Sequence, residues 1–287
     1  MGTLSSVDFI ITKQLGNLSG SPALVGIHKF PTIGCGPQPA AIAGKGMSMW
    51  RLDGIPPSGI NPPTTGSVCD FSTEGRIYFP SGTSGMDRYI TSFGFVTNVA
   101  GSIVLYDRLY HKGGYNGTTT GLQDIQGVSV SSPITRFTSG AGNFPAFEIL
   151  TTIGNTGTTL TLEYINQDGV TMSSTCRFGV TGAGATNFGT AGRFEPIPLK
   201  GSDTGVRAIT RFSIAASTGT AGSFSFVIFR PIAVLGFSLA GVPEWRDFTT
   251  GLPGIPTIHP NACLALYSKS TNTTGMNGWG AMQLISG

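Results

Sequence analysis

The stretch LEYINQDGVTMSSTCRF, residues 162–178, carries several oxygen-bearing side chains close to a glycine, which is the composition of a calcium-binding loop. The EF-hand pattern D-x-D/N-x-D/N-G-x5-E is the relevant template. If Asn166 and Asp168 occupy its third and fifth positions, Tyr164 falls on the first position and Thr175 on the twelfth, where the pattern requires carboxylates. The stretch is therefore not expected to bind a cation.

The same stretch has the pattern of a β-hairpin. As a strand, Leu162, Tyr164 and Asn166 alternate with Glu163 and Ile165, and the Asp-Gly pair at 168–169 is typical of a two-residue type I′ turn. That turn predicts that Glu163 pairs with Ser174 and shares a face with Ile165. Glu163 is then an inward-facing acid unless that face meets solvent or a partner.

No catalytic pattern stands out. The nearest approach to the nucleophile elbow G-x-S-x-G is SGTSG at 81–85, which has the wrong register. Asp203 in GSDTGVR is the acid that a hydrolase would use, but an Asp before Thr-Gly is typical of an Asx turn, and Arg207 is close enough to pair with it. The chain has only 14 Asp and Glu. We predict a protein that is not an enzyme, has no catalytic residues and binds no cofactor.

Cysteine and histidine spacing does not indicate a metal site. The four cysteines, Cys35, Cys69, Cys176 and Cys263, are far apart and include no C-x-x-C pair, and the three histidines have no H-E-x-x-H spacing. Zinc modules need such closely spaced ligands. We expect no metal, and we interpret the cysteines as small buried apolar side chains.

Charge is scarce along the whole chain. Only 11% of the residues are charged, against roughly 25% in ordinary globular proteins. A surface with so few charges is covered by neutral polar side chains or by other protein, and we favour other protein for part of it. The net charge of +3 is small and dispersed, which argues against a nucleic-acid partner. No apolar run is long enough to span a membrane, and no secretory signal is expected at the first residues.

Residues 1–84 hold much of the proline in the chain. Proline lacks a backbone donor and fixes φ, so this segment is predicted to be an extended Pro/Gly-rich N-terminal arm with short strands between turns. It also contains large apolar side chains, including Phe9, Phe30 and Trp50. A free linker would not be so apolar, so we expect the arm to lie on its own body or on a neighbouring subunit.

The rest of the chain, residues 85–287, has the pattern of short strands separated by Gly-, Ser- and Thr-rich turns. The stretch RYITSFGFVTNVAGSIVLYDRLY predicts a hairpin that turns around residues 98–101. Further strands are predicted at 147–153, 158–166, 170–178, 206–216, 224–233, 262–268 and 280–285. The sequence therefore predicts an all-β protein whose body is a jelly-roll-like antiparallel sandwich.

Two segments, MWRLDGIPPSGINPPTTGSVC at 49–69 and PLKGSDTGVRAITRFSIAASTGTAGSFSFVIFRPIAVL at 198–235, together with the EYINQDGV hairpin between them, resemble structural virion proteins of tailed bacteriophages. The resembling proteins are head proteins of the decoration or cement kind. The likeness is strongest over residues 45–235, and its motifs are turns and strands, so it also fits another virion part such as a tail or fibre.

The resemblance implies a jelly-roll-like homotrimer, made in the host cytoplasm and located on the capsid surface. Its partners would be other copies of itself and the major capsid protein, which the arm would clamp. The residues expected to contact the partner are Phe9, Phe30, Trp50 and Arg51.

An alternative function is a carbohydrate- or receptor-binding module of a phage tail, fibre or head surface. The stretch LYHKGGYNGTTTG supports it, since its aromatic side chains could stack on a sugar if they lay on an exposed loop. The residues expected to bind there are Tyr110, His111 and Tyr115. An ordinary mobile surface loop has the same composition.

Overall fold

A computed structural model describes residues 23–29, 43–79, 88–126, 133–179, 188–249, 254–273 and 275–286. The described residues form strands only, and no helix among them is long and apolar enough to cross a membrane. The strands are β1 (Ala23–Lys29), β2 (Gly46–Ser48), β3 (Gly54–Ile55), β4 (Ser67–Val68), β5 (Arg88–Thr97), β6 (Gly101–Tyr115), β7 (Gly121–Asp124), β8 (Phe144–Thr151), β9 (Thr158–Asn166), β10 (Thr171–Phe178), β11 (Phe194–Pro196), β12 (Val206–Ile214), β13 (Ser223–Phe237), β14 (Glu244–Asp247), β15 (Thr257–Ile258), β16 (Leu264–Ser270) and β17 (Gly278–Ser286).

These strands make three antiparallel sheets. The central sheet has the order β11-β8-β13-β6-β16-β2, with β4 also paired to β6. The six-stranded sheet has the order β14-β5-β17-β1-β3, with β15 also paired to β5. The four-stranded sheet has the order β10-β9-β12-β7. The all-β, jelly-roll-like sandwich predicted from the sequence is confirmed.

One face of the central sheet supports both smaller sheets. On β6, Ile103 and Leu105 belong to a first core, which also contains Phe93 of the six-stranded sheet. Leu109, farther along the same face, belongs to a second core with Leu162 of the four-stranded sheet. Strands β6 and β13 each run for 15 residues and pair with each other along both cores. The two sandwiches therefore share one pair of strands.

A third core lies on the opposite face of the central sheet. Val104 and Tyr106 alternate with the first-core residues of β6, so they point the other way, and they pack there with Trp50 and Cys69. Within the predicted arm, β1 pairs with β17, β2 with β16 and β4 with β6. The described residues of the arm thus lie on the body of their own chain, while the boundary between arm and body at residue 84 stays a prediction.

The predicted hairpin around residues 98–101 is wrong. Strand β5 pairs with β14, β15 and β17 in the six-stranded sheet, whereas β6 pairs with β13, β16 and β4 in the central sheet. The connection crosses from one sheet to the other, and Phe95 and Ile103 meet from opposite sides in the first core. The alternation of side chains identified both strands correctly, but it does not show which strand pairs with each of them.

The hairpin of β9 and β10 is confirmed, with a different turn. Asn166 N–H donates to Val170 O at 2.9 Å and Gly169 N–H donates to Asn166 O at 3.0 Å, which closes a three-residue loop. The Asn166 side-chain oxygen also accepts hydrogen bonds from the backbone N–H groups of Asp168 and Val170. Gly169 has a φ of 80°, as the last loop residue of such a hairpin does. The register shifts by one residue, so Glu163 pairs with Ser173.

Candidate functional site

The outer face of the six-stranded sheet is unusually apolar. Four large side chains there are at least half exposed: Leu24 is 70% exposed, Ile55 65%, Trp279 57% and Trp245 55%. Scattered exposed apolar residues are ordinary on a protein surface, but contiguous ones mark interaction sites. We call the surface made by these four residues with His28, Gly26, Gly94 and Ala281 the tryptophan face.

Strand register places these residues in adjacent rows. In the first row, Trp279 of β17 pairs with His28 of β1, and His28 pairs with Ile55 of β3. Paired residues of antiparallel strands share a face and have Cβ atoms about 5 Å apart. The row borders a shallow depression of about 490 Å³ whose lining also includes Gly26. Trp279 and Ile55 therefore form the rim of an open, mostly apolar hollow.

The second row is built from small residues and one tryptophan. Trp245 pairs with Gly94, Gly94 with Ala281, and Ala281 with Gly26. A Cβ atom at Gly94 would lie 1.6 Å from the Trp245 ring, so the ring lies directly on the glycine. A Cβ atom at Gly26 would meet nothing within 4 Å. The row is a trough, filled by an indole at one end and open at the other.

The third row is polar except at its β1 end. Asp247 pairs with Ser92, Ser92 with Gln283, and Gln283 with the exposed Leu24. Ser92 Oγ hydrogen-bonds Gln283 Oε1 at 3.0 Å, and Asp247 accepts hydrogen bonds from the backbone and hydroxyl of Thr249. The tryptophan face is thus apolar across its first two rows and bounded by hydrogen-bonded polar groups on one side, as protein interfaces are.

The sequence interpretation missed this face, although a signal for it was present. In GWGAMQLIS, residues 278–286, the large aliphatic side chains Met282, Leu284 and Ile285 are all buried, and the first two are two residues apart. Alternation then places Trp279 and Gln283 on the outer side. Only their position in a sheet, which pairing across strands determines, reveals that Ile55 and Trp245 join them.

The two described residues expected to contact a partner, Trp50 and Arg51, are not part of the tryptophan face. Phe9 and Phe30 are outside the described residues. Trp50 is 1% exposed, its indole N–H donates to Ile60 O at 3.4 Å, and the guanidinium of Arg108 lies over its ring at 4.9 Å. Trp50 is a core residue of this chain, with almost no surface left for a partner. Arg51 is half-buried and donates to Gly59 O at 3.4 Å, and its contact with a partner stays a prediction.

Tyr110, His111 and Tyr115 are not on an exposed loop, so that placement is wrong. All three lie on β6 and are buried. The Tyr115 hydroxyl donates to Asp124 O at 3.0 Å, and its ring packs edge-on against Phe212. The sequence predicts a loop here because Gly113 and Gly114 lie between His111 and Tyr115. Gly113 instead allows close approach of another segment, since a Cβ atom there would lie 2.4 Å from a backbone oxygen of Pro62.

Two buried ion pairs lie beside these residues on β6. Arg108 and Glu148 are both fully buried, with Nη2 and Oε2 2.7 Å apart. Burial raises the pKa of Glu148, but the charge of Arg108 and hydrogen bonds hold that pKa below its ordinary value. Arg136 donates through two nitrogens to the carboxylate of Asp107. Each of these buried charges is thereby paired within the chain.

The second ion pair joins distant parts of the chain. Besides Asp107, Arg136 donates to the backbone oxygens of Cys69 at 2.7 Å and Arg108 at 3.0 Å. Asp107 also accepts the backbone N–H of Cys263 at 2.9 Å. The pair therefore fastens the end of β4, the middle of β6 and the start of β16 to one another. Among the described residues, no group of three His, Cys, Asp or Glu side chains is arranged to hold a metal ion.

The acids singled out in the sequence have structural contacts. Glu163 is half-buried on the outer face of the four-stranded sheet, where Arg211 donates to both of its carboxylate oxygens, at 2.8 and 3.1 Å. Asp203 accepts hydrogen bonds from the Tyr164 hydroxyl at 2.7 Å and from Asn166 Nδ2 at 2.8 Å. Glu163 therefore faces outward, and its charge is paired within the chain.

No family model matches the chain, and no curated protein matches it. Among solved structures, the protein chain of T=1 particles derived from infectious bursal virus is 10% identical in sequence to this chain. The alignment covers 99% of this chain and 84% of the particle's chain, and the TM-score is 0.18. A VP2 subviral particle of infectious bursal disease virus is 9% identical, with 97% and 86% covered, at a TM-score of 0.18. These weak neighbours are proteins of virus particles, and a likeness of this size carries no argument about the present chain.

Proposed function

We propose that the protein is a non-enzymatic structural component of a virion, which decorates and stabilises a bacteriophage capsid by binding the lattice of the major capsid protein. The observation that carries the proposal is the tryptophan face. The resemblance of residues 49–69 and 198–235 to phage decoration proteins is the reason for proposing the major capsid protein as the partner. The native unit is a homotrimer on the capsid surface, made in the host cytoplasm.

The tryptophan face has the features of a binding surface. Two of the three tryptophans of the chain, Trp245 and Trp279, are half exposed on it. Tryptophan is among the residues that contribute most to protein interfaces, because a large rigid ring loses little conformational entropy when it is covered. The open trough at Gly26 leaves room for side chains of the partner. Covering this face would bury apolar area at little cost in desolvated charge.

The arm contributes to this face through its paired strands. Leu24 and His28 lie on β1 and Ile55 on β3, all within residues 1–84. These two strands form one side of the six-stranded sheet, next to β17. The arm would then bind the capsid lattice by extending the sheet that presents Trp279, together with the contacts expected of Phe9 and Phe30.

The experiment is decoration of capsid particles that were assembled without this protein. Trp279→Ala removes the largest exposed ring beside the hollow, and we expect capsid binding to weaken at least about tenfold, the loss typical of an interface anchor. The matched control is Leu122→Ala, which removes a 64% exposed side chain from β7 of the four-stranded sheet. Full decoration by a Trp279→Ala, Ile55→Ala double variant would overturn the proposal.

A second function, binding of a receptor carbohydrate, is favoured by one observation. Trp279 stands beside His28 at the rim of an open hollow, and an exposed indole can stack on a sugar ring. The test is a glycan array probed with the isolated protein. Glycan binding that Trp279→Ala abolishes would support it, whereas binding only to capsid particles supports decoration.

A further inference from the structure

Cys69 and Cys263 are far apart in sequence but lie next to each other along one edge of β6, where the pairing changes from β4 to β16. Strands β4 and β16 both pair with that edge, where Val68 lies opposite Tyr110 and Leu264 opposite Asp107. Between them, the backbone N–H of Cys69 donates to Leu109 O at 3.0 Å. The Cys263 carbonyl accepts the backbone N–H of Arg108 at 2.8 Å. The cysteines thus face consecutive residues of β6, end to end.

The two thiols share one buried environment. Both side chains are fully buried and belong to the third core. Burial raises the pKa of the Cys69 thiol, but hydrogen bonds from Cys263 and His111 and the charge of Arg108 outweigh burial and lower it. Burial and the neighbouring Cys69 sulfur raise the pKa of Cys263. The pKa values of the two thiols are therefore shifted in opposite directions, that of Cys69 downward and that of Cys263 upward.

We propose that Cys69 and Cys263 are the site of an internal disulfide, formed by exchange with a low-molecular-weight disulfide such as glutathione disulfide. The Cys69 thiolate attacks one sulfur of the oxidant, whose S–S bond breaks and releases one thiol. The Cys263 sulfur then attacks Cys69 Sγ, and the second thiol leaves. The two cysteine protons end on the two released thiols, so the protein loses two electrons and the oxidant gains them.

The bond would join the two parts of the chain that Arg136 and Asp107 already hold together. Cys69 closes the segment 49–69, which covers the third core with Trp50, and Cys263 begins the pairing of β16. Oxidation would convert a hydrogen-bonded junction into a covalent one. This inference does not depend on the proposed function.

The test uses the full chain, unfolded and refolded with or without glutathione disulfide, followed by digestion and mass spectrometry under non-reducing conditions. We expect a peptide that links Cys69 to Cys263, absent after reduction, and a rise in Tm of about 5–15 °C on oxidation. Native protein incubated with the same oxidant should give the same link more slowly, because the thiols are buried. Free thiols at both positions after refolding, or links from them to Cys35 or Cys176, would overturn the proposal.

The variants separate this pair from the other cysteines. Cys176, on β10, is half-buried in the four-stranded sheet, and Cys176→Ser should leave both the link and the oxidative rise in Tm unchanged. Cys69→Ser and Cys263→Ser should each abolish them. A rise in Tm that survives in either of these two variants would refute the assignment, and the peptide map of the wild-type chain decides the matter even if a variant does not fold.

Discussion

The two smaller sheets pack on the same face of the central sheet, yet their outer faces differ in chemistry. On the four-stranded sheet, Thr161 lies between Ser213 and Thr175 in a row that ends at the exposed Leu122, and the next row contains the Glu163–Arg211 ion pair. On the six-stranded sheet, the equivalent positions carry tryptophan, isoleucine and small residues. The inner faces are equally apolar, so the fold does not require this difference. Under the proposed function, the six-stranded sheet is the one that would meet another molecule.

Substitutions on the inner faces should show that the two sheets are alike there. Phe93 in the first core and Phe212 in the second are both fully buried. Replacing either with alanine removes a ring and leaves a cavity, and we expect the free energy of unfolding to fall by about 3–5 kcal/mol in each case. Urea unfolding monitored by circular dichroism measures both variants. A loss confined to one sheet would mean that the cores are not equivalent.

The trough of the tryptophan face provides a sharper test, because two of its glycines differ. Gly94→Val forces the Trp245 ring off the sheet, and we expect a loss of about 1–2 kcal/mol with a change in tryptophan fluorescence. Gly26→Val points into open space and should alter stability by less than about 0.5 kcal/mol. Equal losses in the two variants would contradict the described position of Trp245.

Exchanging the chemistry of the two outer faces should change solubility more than stability. We expect Thr161→Ile with Thr175→Ile to change the free energy of unfolding by less than about 1 kcal/mol, since isoleucine suits a strand, and to lower solubility by creating a second apolar patch. Trp279→Thr should raise solubility. Precipitation midpoints in polyethylene glycol measure both. If Trp279→Thr leaves solubility unchanged, the tryptophan face is not the surface that limits the solubility of the protein.

The smallest effect concerns pH. Hydrogen bonds from Arg211 hold the pKa of Glu163 below its ordinary value. A carboxyl group with a lowered pKa in the folded protein stabilises it above the unfolded pKa of about 4.3, and that contribution is lost as pH falls through the folded pKa. Glu163→Gln should therefore be slightly less stable than wild type at pH 6, and the two should converge in acid.

Urea midpoints at several pH values measure this convergence. The control is Gln283→Ala in the polar row beside the tryptophan face, where no charge is removed and the difference from wild type should not vary with pH. If Glu163→Gln remains less stable to urea than wild type at acid pH, Glu163 stabilises the protein through packing and not through its charge.

Strand positions could be predicted from the sequence, because alternation and turn residues act locally. The predicted strand at 158–166 coincides with β9, and the one at 280–285 lies within β17. Strand partners could not be predicted, and β5 and β6 were joined in a hairpin although they belong to different sheets. Strand β13 continues past the predicted end at 233 because Leu235 and Phe237 pack in the first core, which is a tertiary effect.

The candidate site was harder to predict than the fold. Tyr110 and Tyr115 were expected on a loop because two glycines separate them, but glycine also permits the close approach of a neighbouring segment, and burial decided between the two. The exposure of Trp245 and Trp279 could not be predicted, because an exposed aromatic residue and a buried one look the same in a sequence. Only pairing across strands brings Ile55, Trp279 and Trp245 onto one surface.

The continuity of β6 and β13 has a mechanical consequence. Each strand extends from the first core to the second, and the hydrogen bonds between them lie perpendicular to the strands, although the pairing shifts register at three places. A force applied to one sandwich along the strand direction is therefore carried in shear by many hydrogen bonds at once and reaches the other sandwich through the same two strands. The molecule would transmit load as a strut, without a hinge between its halves.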